Sequence, residues 1–82
     1  MSDGLKIMSQ NKECFVNIDN VVMLEIIKNE NSFYEENIYN VIAHTINDLK
    51  VILGEYVGKE RALQILKEIY EYSYWTYYMP EE

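Results

Sequence analysis

Residues 49–72, with the sequence LKVILGEYVGKERALQILKEIYEY, constrain the fold of this chain more than any other stretch. They predict a β-strand, a turn that contains Gly54 and Gly58, and an amphipathic helix in immediate succession. The apolar stripe of the helix is formed by Ala62, Ile65, Leu66, Ile69 and Ser73. A strand that leads directly into such a helix predicts a sheet with the helix packed on it.

Four further strand-like segments precede this stretch, at residues 5–9, 13–18, 21–28 and 38–46, and the last strand is predicted at 49–53. The 82 residues have room for one domain with one modest core. The sequence therefore predicts an α+β fold: an antiparallel sheet of about five short strands, with one C-terminal helix at about 59–74 packed on one face. An aromatic C-terminal tail follows at 75–82. The expected core consists of Val16, Ile18, Val22, Leu24, Ile26, Val51, Leu53, Ala62, Ile65, Leu66 and Ile69.

The register of the last hairpin depends on the length of its turn. A two-residue loop at Asn47 and Asp48 would place His44 on the same face as Val51 and Leu53. A longer loop would shift the register by one residue and exchange the two faces. The sequence leaves both registers open.

The charge of the chain narrows the classes of partner. Fourteen acidic residues against seven basic ones give a net charge of -7, and the basic residues are scattered. Direct contact with nucleic acid or with an anionic membrane is disfavoured, because phosphate groups are bound by clustered Lys and Arg. An acidic surface suits solubility, a basic protein partner or mimicry of nucleic acid, and solubility alone is the simplest interpretation.

Chemistry-bearing motifs are absent from the sequence, which contains one cysteine, Cys14, and one histidine, His44. Cys14 is expected to be a small buried hydrophobe, and His44 a structural or partly exposed strand residue. Neither a phosphate-binding glycine loop nor a zinc-ligand pattern occurs, so no enzyme activity, metal or cofactor is expected. The chain shows no signal peptide and no membrane-spanning run, so a cytoplasmic location is expected.

Aromatic residues are concentrated near the C-terminus, where six of nine consecutive positions are Tyr or Trp. One core face cannot accommodate six rings, and Tyr and Trp are favoured at protein interfaces. A second aromatic pair lies in the polar loop 29–37, where it either tucks onto the fold or contacts a partner. The candidate interface residues are Tyr72, Tyr74, Trp75, Tyr77 and Tyr78 of the C-terminal segment, and Phe33, Tyr34, Glu35 and Glu36 of the loop.

Four segments, KIMSQNKECFVNIDNV, VILGEY, KERALQILKEI and YYMPEE, carry a family resemblance. They are similar to small uncharacterised proteins of Gram-positive bacteria and their phages and mobile elements. Those proteins have an I-S-Q element, a strand ending in LG-Y, a similar helix and an MPE tail. The loop 29–37 lies outside the resemblance, and Gly58 stands where such proteins more often have Ser or another good N-cap. The shared motifs are structural, and they imply no site residues.

These observations predict a non-enzymatic protein-binding module derived from a phage or mobile element. Its specific form would be an acidic inhibitor of a host nucleic-acid-binding defence protein, comparable to an anti-CRISPR protein. The alternative is a structural homo-oligomer, in which an apolar strand face and the aromatic tail pair with a second copy. A small enzyme or metal protein would rest on Cys14 and His44 alone.

Overall fold

Two small β-sheets and one helix form the fold in this computed structural model, which describes residues 5–29, 37–72 and 74–82. In chain order the elements are β1 Lys6–Met8, β2 Phe15–Asn17, a 3-10 turn at Ile18–Asn20, β3 Val21–Lys28, β4 Ile38–Thr45, β5 Lys50–Val57, α1 Lys59–Glu71 and β6 Thr76–Tyr78. Sheet A has the strand order β2-β1-β6, and sheet B has the order β3-β4-β5. The predicted α+β class is confirmed, but two three-stranded sheets replace the single five-stranded one.

Sheet A joins the two ends of the chain. Strand β1 pairs antiparallel with β2 and parallel with β6. The inward row of side chains is Val16, Ile7 and Tyr77, all buried, and the adjacent outward row is Phe15, Met8 and Tyr78. Part of the segment expected to be a tail is thus a strand of the sheet.

Sheet B is an antiparallel meander with an irregularity in its first strand. The pairing of β3 with β4 shifts register between Val21 and Met23. Val22 falls at this bulge and is exposed, so its prediction as a core residue was wrong. Val21 and Leu24 are three positions apart, whereas Leu24 and Ile26 have the two-residue spacing of a regular strand. The extra residue at the bulge allows all three to pack against the core.

The turn between β4 and β5 has three residues, 46–48, and is therefore longer than the two-residue loop at Asn47 and Asp48. Thr45 N donates to Leu49 O at 2.9 Å, and Asp48 N donates to Thr45 O at 3.0 Å. Asp48 has a positive φ of 65°, a conformation that Asp tolerates in turns. His44 therefore lies opposite Lys50 rather than on the face of Val51.

Helix α1 contacts all three strands of sheet B. It begins after Gly58 and ends at Glu71. Gly58 has a backbone φ of 89° and, having no side chain, provides no capping hydrogen bond. The buried core consists of Leu5, Ile7, Val16, Val41, Ala43, Leu53, Tyr56, Ala62, Ile65, Ile69, Tyr77 and Met79, with Ile18, Val21, Leu24, Ile26, Tyr39, Val51, Leu66 and Tyr72 packed against it. Both sheets and the helix contribute to this one core.

Gln10 connects the two sheets at the free edge of β5. Its backbone N donates to Leu53 O at 2.7 Å. Its side-chain Nε2 donates to Glu55 O at 3.1 Å and to Glu81 O at 2.9 Å. Glu55 N donates back to Gln10 Oε1 at 2.9 Å. This single residue therefore takes the place of a neighbouring strand and also holds the C-terminal segment.

Tyr56 makes the second connection between β5 and the C-terminal segment. Its hydroxyl donates to Pro80 O at 2.6 Å, and Met79 N donates to Met8 O at 3.1 Å beside it. The Tyr56 ring lies over Gly54, where a Cβ atom would come within 2.8 Å of ring carbon Cε2. The contacts of Gln10 and Tyr56 are called the joint below. The segments 7–10 (IMSQ), 53–56 (LGEY) and 79–82 (MPEE) all meet there.

Candidate functional site

The aromatic C-terminal segment divides between the core and the surface. Tyr77 is buried, and its hydroxyl donates to Glu68 Oε1 at 2.7 Å. Burial and this hydrogen bond raise the pKa of Tyr77 well above its usual value. Tyr78 is exposed on the outward row of sheet A beside Met8. These two residues, although adjacent in sequence, therefore belong to different environments, and neither lines the groove described next.

An apolar groove of about 360 Å³ opens where the second half of α1 meets the edge of sheet B. Its lining residues are Leu5, Ile18, Leu24, Leu66, Ile69, Tyr70 and Tyr72. This site is called the aromatic groove. Its floor is aliphatic and comes from four separate segments of the chain, and its rim carries tyrosine rings. A groove of this kind can accept an apolar side chain of a partner.

Exposed rings occur in the segment that carries the two tyrosines of the aromatic groove. Tyr70 is 90% exposed, Tyr74 71% and Trp75 77%. The Tyr74 ring meets the Tyr72 ring edge-on, with centroids 5.4 Å apart, and the Tyr77 ring also meets Tyr72 edge-on at 5.1 Å. Tyr72 is thereby held in place, and it links the core to the surface rings.

Local structure explains why these rings stay on the surface. Helix α1 ends at Glu71, and Tyr72 adopts an extended conformation as its C-cap. The backbone of Trp75 is then fixed, because its carbonyl accepts a 2.9 Å hydrogen bond from Lys6 N. The indole is therefore carried by an anchored backbone and has no place in the core.

The electrostatics near the aromatic groove favour a cation. The last turn of α1 contains no basic residue, and it ends on the exposed Glu71. The carbonyl groups at a helix C-terminus carry partial negative charge. A Lys or Arg side chain of a partner would gain from this charge and from contact with the exposed ring faces.

The remaining candidate residues lie elsewhere. Phe33, Tyr34, Glu35 and Glu36 fall outside the described residues. Cys14 is exposed, so its prediction as a buried hydrophobe was wrong. Strand β2 begins only after Cys14, at Phe15, and the alternation that predicted its burial does not extend to this residue.

His44 is partly buried on the face of sheet B that points away from α1. Its Nε2 lies 2.5 Å from Glu25 Oε1, forming an ion pair when the histidine is protonated. Cys14 adjoins sheet A and His44 belongs to sheet B. Glu25 is therefore the described partner of His44, and the structure gives no contact between His44 and Cys14.

No group of three or more His, Cys, Asp or Glu side chains suited to a metal ion occurs within 5–29, 37–72 and 74–82. Over the same described ranges, no helix is both long and apolar enough to cross a membrane. Comparisons with protein-family models, with curated proteins and with solved structures each returned no match.

Of the groove's lining, the sequence suggested Tyr72 as an interface residue and predicted Ile18, Leu24, Leu66 and Ile69 only as core residues. Leu5, Ile18 and Leu24 are far apart in sequence from Leu66 and Ile69 and meet only after folding. The sequence also did not reveal that Phe15, Met8 and Tyr78 form one outward row. The alternation of residues 76–78 could have indicated a strand, but a three-residue signal beside a helix end is too short to interpret.

Proposed function

We propose that this protein is a non-enzymatic binding module that engages a basic protein through the aromatic groove. The observation that carries the proposal is an apolar groove with the exposed Tyr70 ring on its rim, close in sequence to the exposed rings of Tyr74 and Trp75. Soluble proteins rarely leave several large rings exposed together without a partner. Tyr and Trp are also the residues that most often dominate binding energy at interfaces.

The partner is inferred to present an apolar anchor flanked by Arg or Lys. The anchor would enter the groove, and the basic groups would approach Glu71 and the negative end of α1. The net charge of -7 would speed the encounter with such a surface. Nucleic acid is not proposed as a direct partner, because the same net negative charge disfavours contact with its phosphate groups.

More specifically, the protein is proposed to inhibit a host nucleic-acid-binding defence protein. Such a protein presents a basic channel, and an acidic domain can occupy that channel in place of nucleic acid. Support comes from the acidic composition and from the resemblance to proteins of phages and mobile elements. The proposed origin rests on that resemblance, and a cytoplasmic location is proposed with it.

Capture from a lysate of the organism that encodes the chain tests the proposal. Wild-type protein would be compared with a Tyr70→Ser/Trp75→Ser variant, and bound proteins would be identified by mass spectrometry. Phe15→Ser is the matched control, because Phe15 is an exposed aromatic on sheet A and lies outside the groove. The Trp75 substitution spares the Lys6–Trp75 hydrogen bond, which uses the Trp75 backbone.

The expected result is a basic protein retained by wild type and by Phe15→Ser but lost with the groove variant. Retention should decrease as salt is raised, because exposed charge pairs are screened. Retention of the same proteins by all three forms, or of none by wild type, would contradict the proposal.

A further inference from the structure

The face of sheet B that points away from α1 is called the outer face. The registers of β3, β4 and β5 arrange its side chains in four rows: Met23–His44–Lys50, Glu25–Ile42–Ile52, Ile27–Asn40–Glu55 and Ile38–Val57. Six of these eleven residues are apolar, and Ile52 and Val57 are 53% and 58% exposed. An antiparallel sheet that faces water usually presents polar side chains on that face. The apolar content therefore indicates a surface that is covered in the working protein.

The charges on the outer face are arranged symmetrically about its centre. Lys50 and Glu55 lie on the same edge strand, one row above and one row below Ile52. A two-fold axis that crosses the strands at the row of Ile52 places Lys50 of each copy opposite Glu55 of the other. The same axis places Ile52 against Ile52 and Met23 against Ile27. Such self-complementarity is what an isologous dimer requires.

Two polar groups on the outer face are compatible with this arrangement. Asn40 has a buried Oδ1 with no hydrogen-bond partner in the described residues, and the two-fold axis places it opposite His44 of the second copy. Glu25 lies on the axial row, but each Glu25 is already hydrogen-bonded to His44 of its own chain. Neither carboxylate is therefore left unpaired when the two faces meet.

We propose that two copies of this chain associate through their outer faces, with paired Lys50–Glu55 contacts on either side of a central Ile52 contact. This interface is separate from the aromatic groove, so each copy in the dimer keeps its groove free for a partner. The occupant is a second copy because the face carries both signs of charge in matching positions.

Sedimentation equilibrium of wild type and of charge-exchanged variants tests this dimer. Wild type should sediment at twice the monomer mass. Lys50→Glu and Glu55→Lys should each weaken association at least tenfold, because each places like charges opposite one another. An equimolar mixture of the two single variants should regain the dimer, since both contacts then pair Lys with Glu. Lys67→Glu on exposed α1 has the same charge change as Lys50→Glu and should leave association unchanged.

Circular dichroism of each variant establishes that a loss of mass is not unfolding. A wild-type monomer throughout the concentration range would overturn the proposal. A dimer that survives Lys50→Glu, or one that dissociates with Tyr70→Ser, would also overturn it, because another surface would then hold the copies together. The outer-face dimer predicts that each single variant is monomeric by itself and that the equimolar mixture of the two variants forms a dimer.

Discussion

The Tyr56 side chain shows how one hydroxyl can connect distant parts of a small fold. The residue is almost fully buried, yet its hydroxyl reaches Pro80 O at 2.6 Å, 24 positions further along the chain. Its ring also explains the glycine at position 54, because a Cβ there would overlap the ring. The sequence indicated Gly54 only as turn punctuation, since a close approach between side chain and backbone leaves no local pattern.

Replacing Tyr56 with Phe should lower the free energy of unfolding by about 1 kcal/mol, because Pro80 O would keep only the 3.3 Å hydrogen bond from Gln10 Nε2 while the ring packing is unchanged. Urea denaturation at neutral pH measures the change. Tyr70→Phe is the control, since the Tyr70 side chain is exposed and its hydroxyl should contribute little. Equal stability of Tyr56→Phe and wild type would contradict a stabilising role for this hydrogen bond.

Alkaline pH should destabilise the fold through the same residue. Burial raises the pKa of Tyr56 from 10.0 to about 12. The unfolded chain therefore loses this proton at lower pH than the folded one, so stability is complete below about pH 10 and falls as pH rises towards 12. The raised pKa of Tyr77 acts in the same direction. Denaturation at several pH values should show a shallower decline for Tyr56→Phe than for wild type, and identical slopes would contradict this assignment.

At the scale of elements, the joint decides how the two sheets are held together. Gln10 lies in the turn between β1 and β2, but its side chain satisfies the backbone of Glu55 in the other sheet. It also holds the carbonyl of Glu81. An amide side chain can both donate and accept, so Gln suits this position better than Glu or Ala.

Gln10→Ala should lower the free energy of unfolding by about 1–3 kcal/mol, because several backbone groups lose their partner at once. Chemical denaturation measures the loss, and hydrogen exchange at the Glu55 amide should accelerate. Gln64→Ala is the matched control, because Gln64 is exposed on α1 and accepts a surface hydrogen bond from Arg61. A Glu55 amide that exchanges equally slowly in Gln10→Ala would contradict the role of the joint.

The elements that local patterns define were the ones predicted well. Strand β3 and the start of α1 agree with the prediction, because each carries its periodicity within its own residues. Strand β6 was missed, since only three residues pair with a strand about 70 positions earlier. The sequence also did not predict the bulge at Val22 or choose the three-residue turn before Leu49, because both features depend on pairing with the neighbouring strand.

At the scale of the whole molecule, the structure presents two surfaces of different character. The aromatic groove combines exposed rings with an aliphatic floor, and the outer face of sheet B combines aliphatic residues with charges of both signs. The excess of aromatic residues was visible in the sequence, but the division into buried Tyr77 and exposed Trp75 was not. Which ring enters the core depends on the pairing of β6 with β1, which the sequence did not reveal.

The central claim is that the aromatic groove binds the protein partner, and the dissociation constant of that partner tests it most directly. Once capture has identified the partner, titration calorimetry would compare wild type, Tyr70→Ser/Trp75→Ser and the control Phe15→Ser. Removing two exposed anchors should weaken binding by at least about tenfold, which corresponds to about 1.4 kcal/mol. Phe15→Ser should bind like wild type. Equal dissociation constants for wild type and the groove variant would contradict the claim.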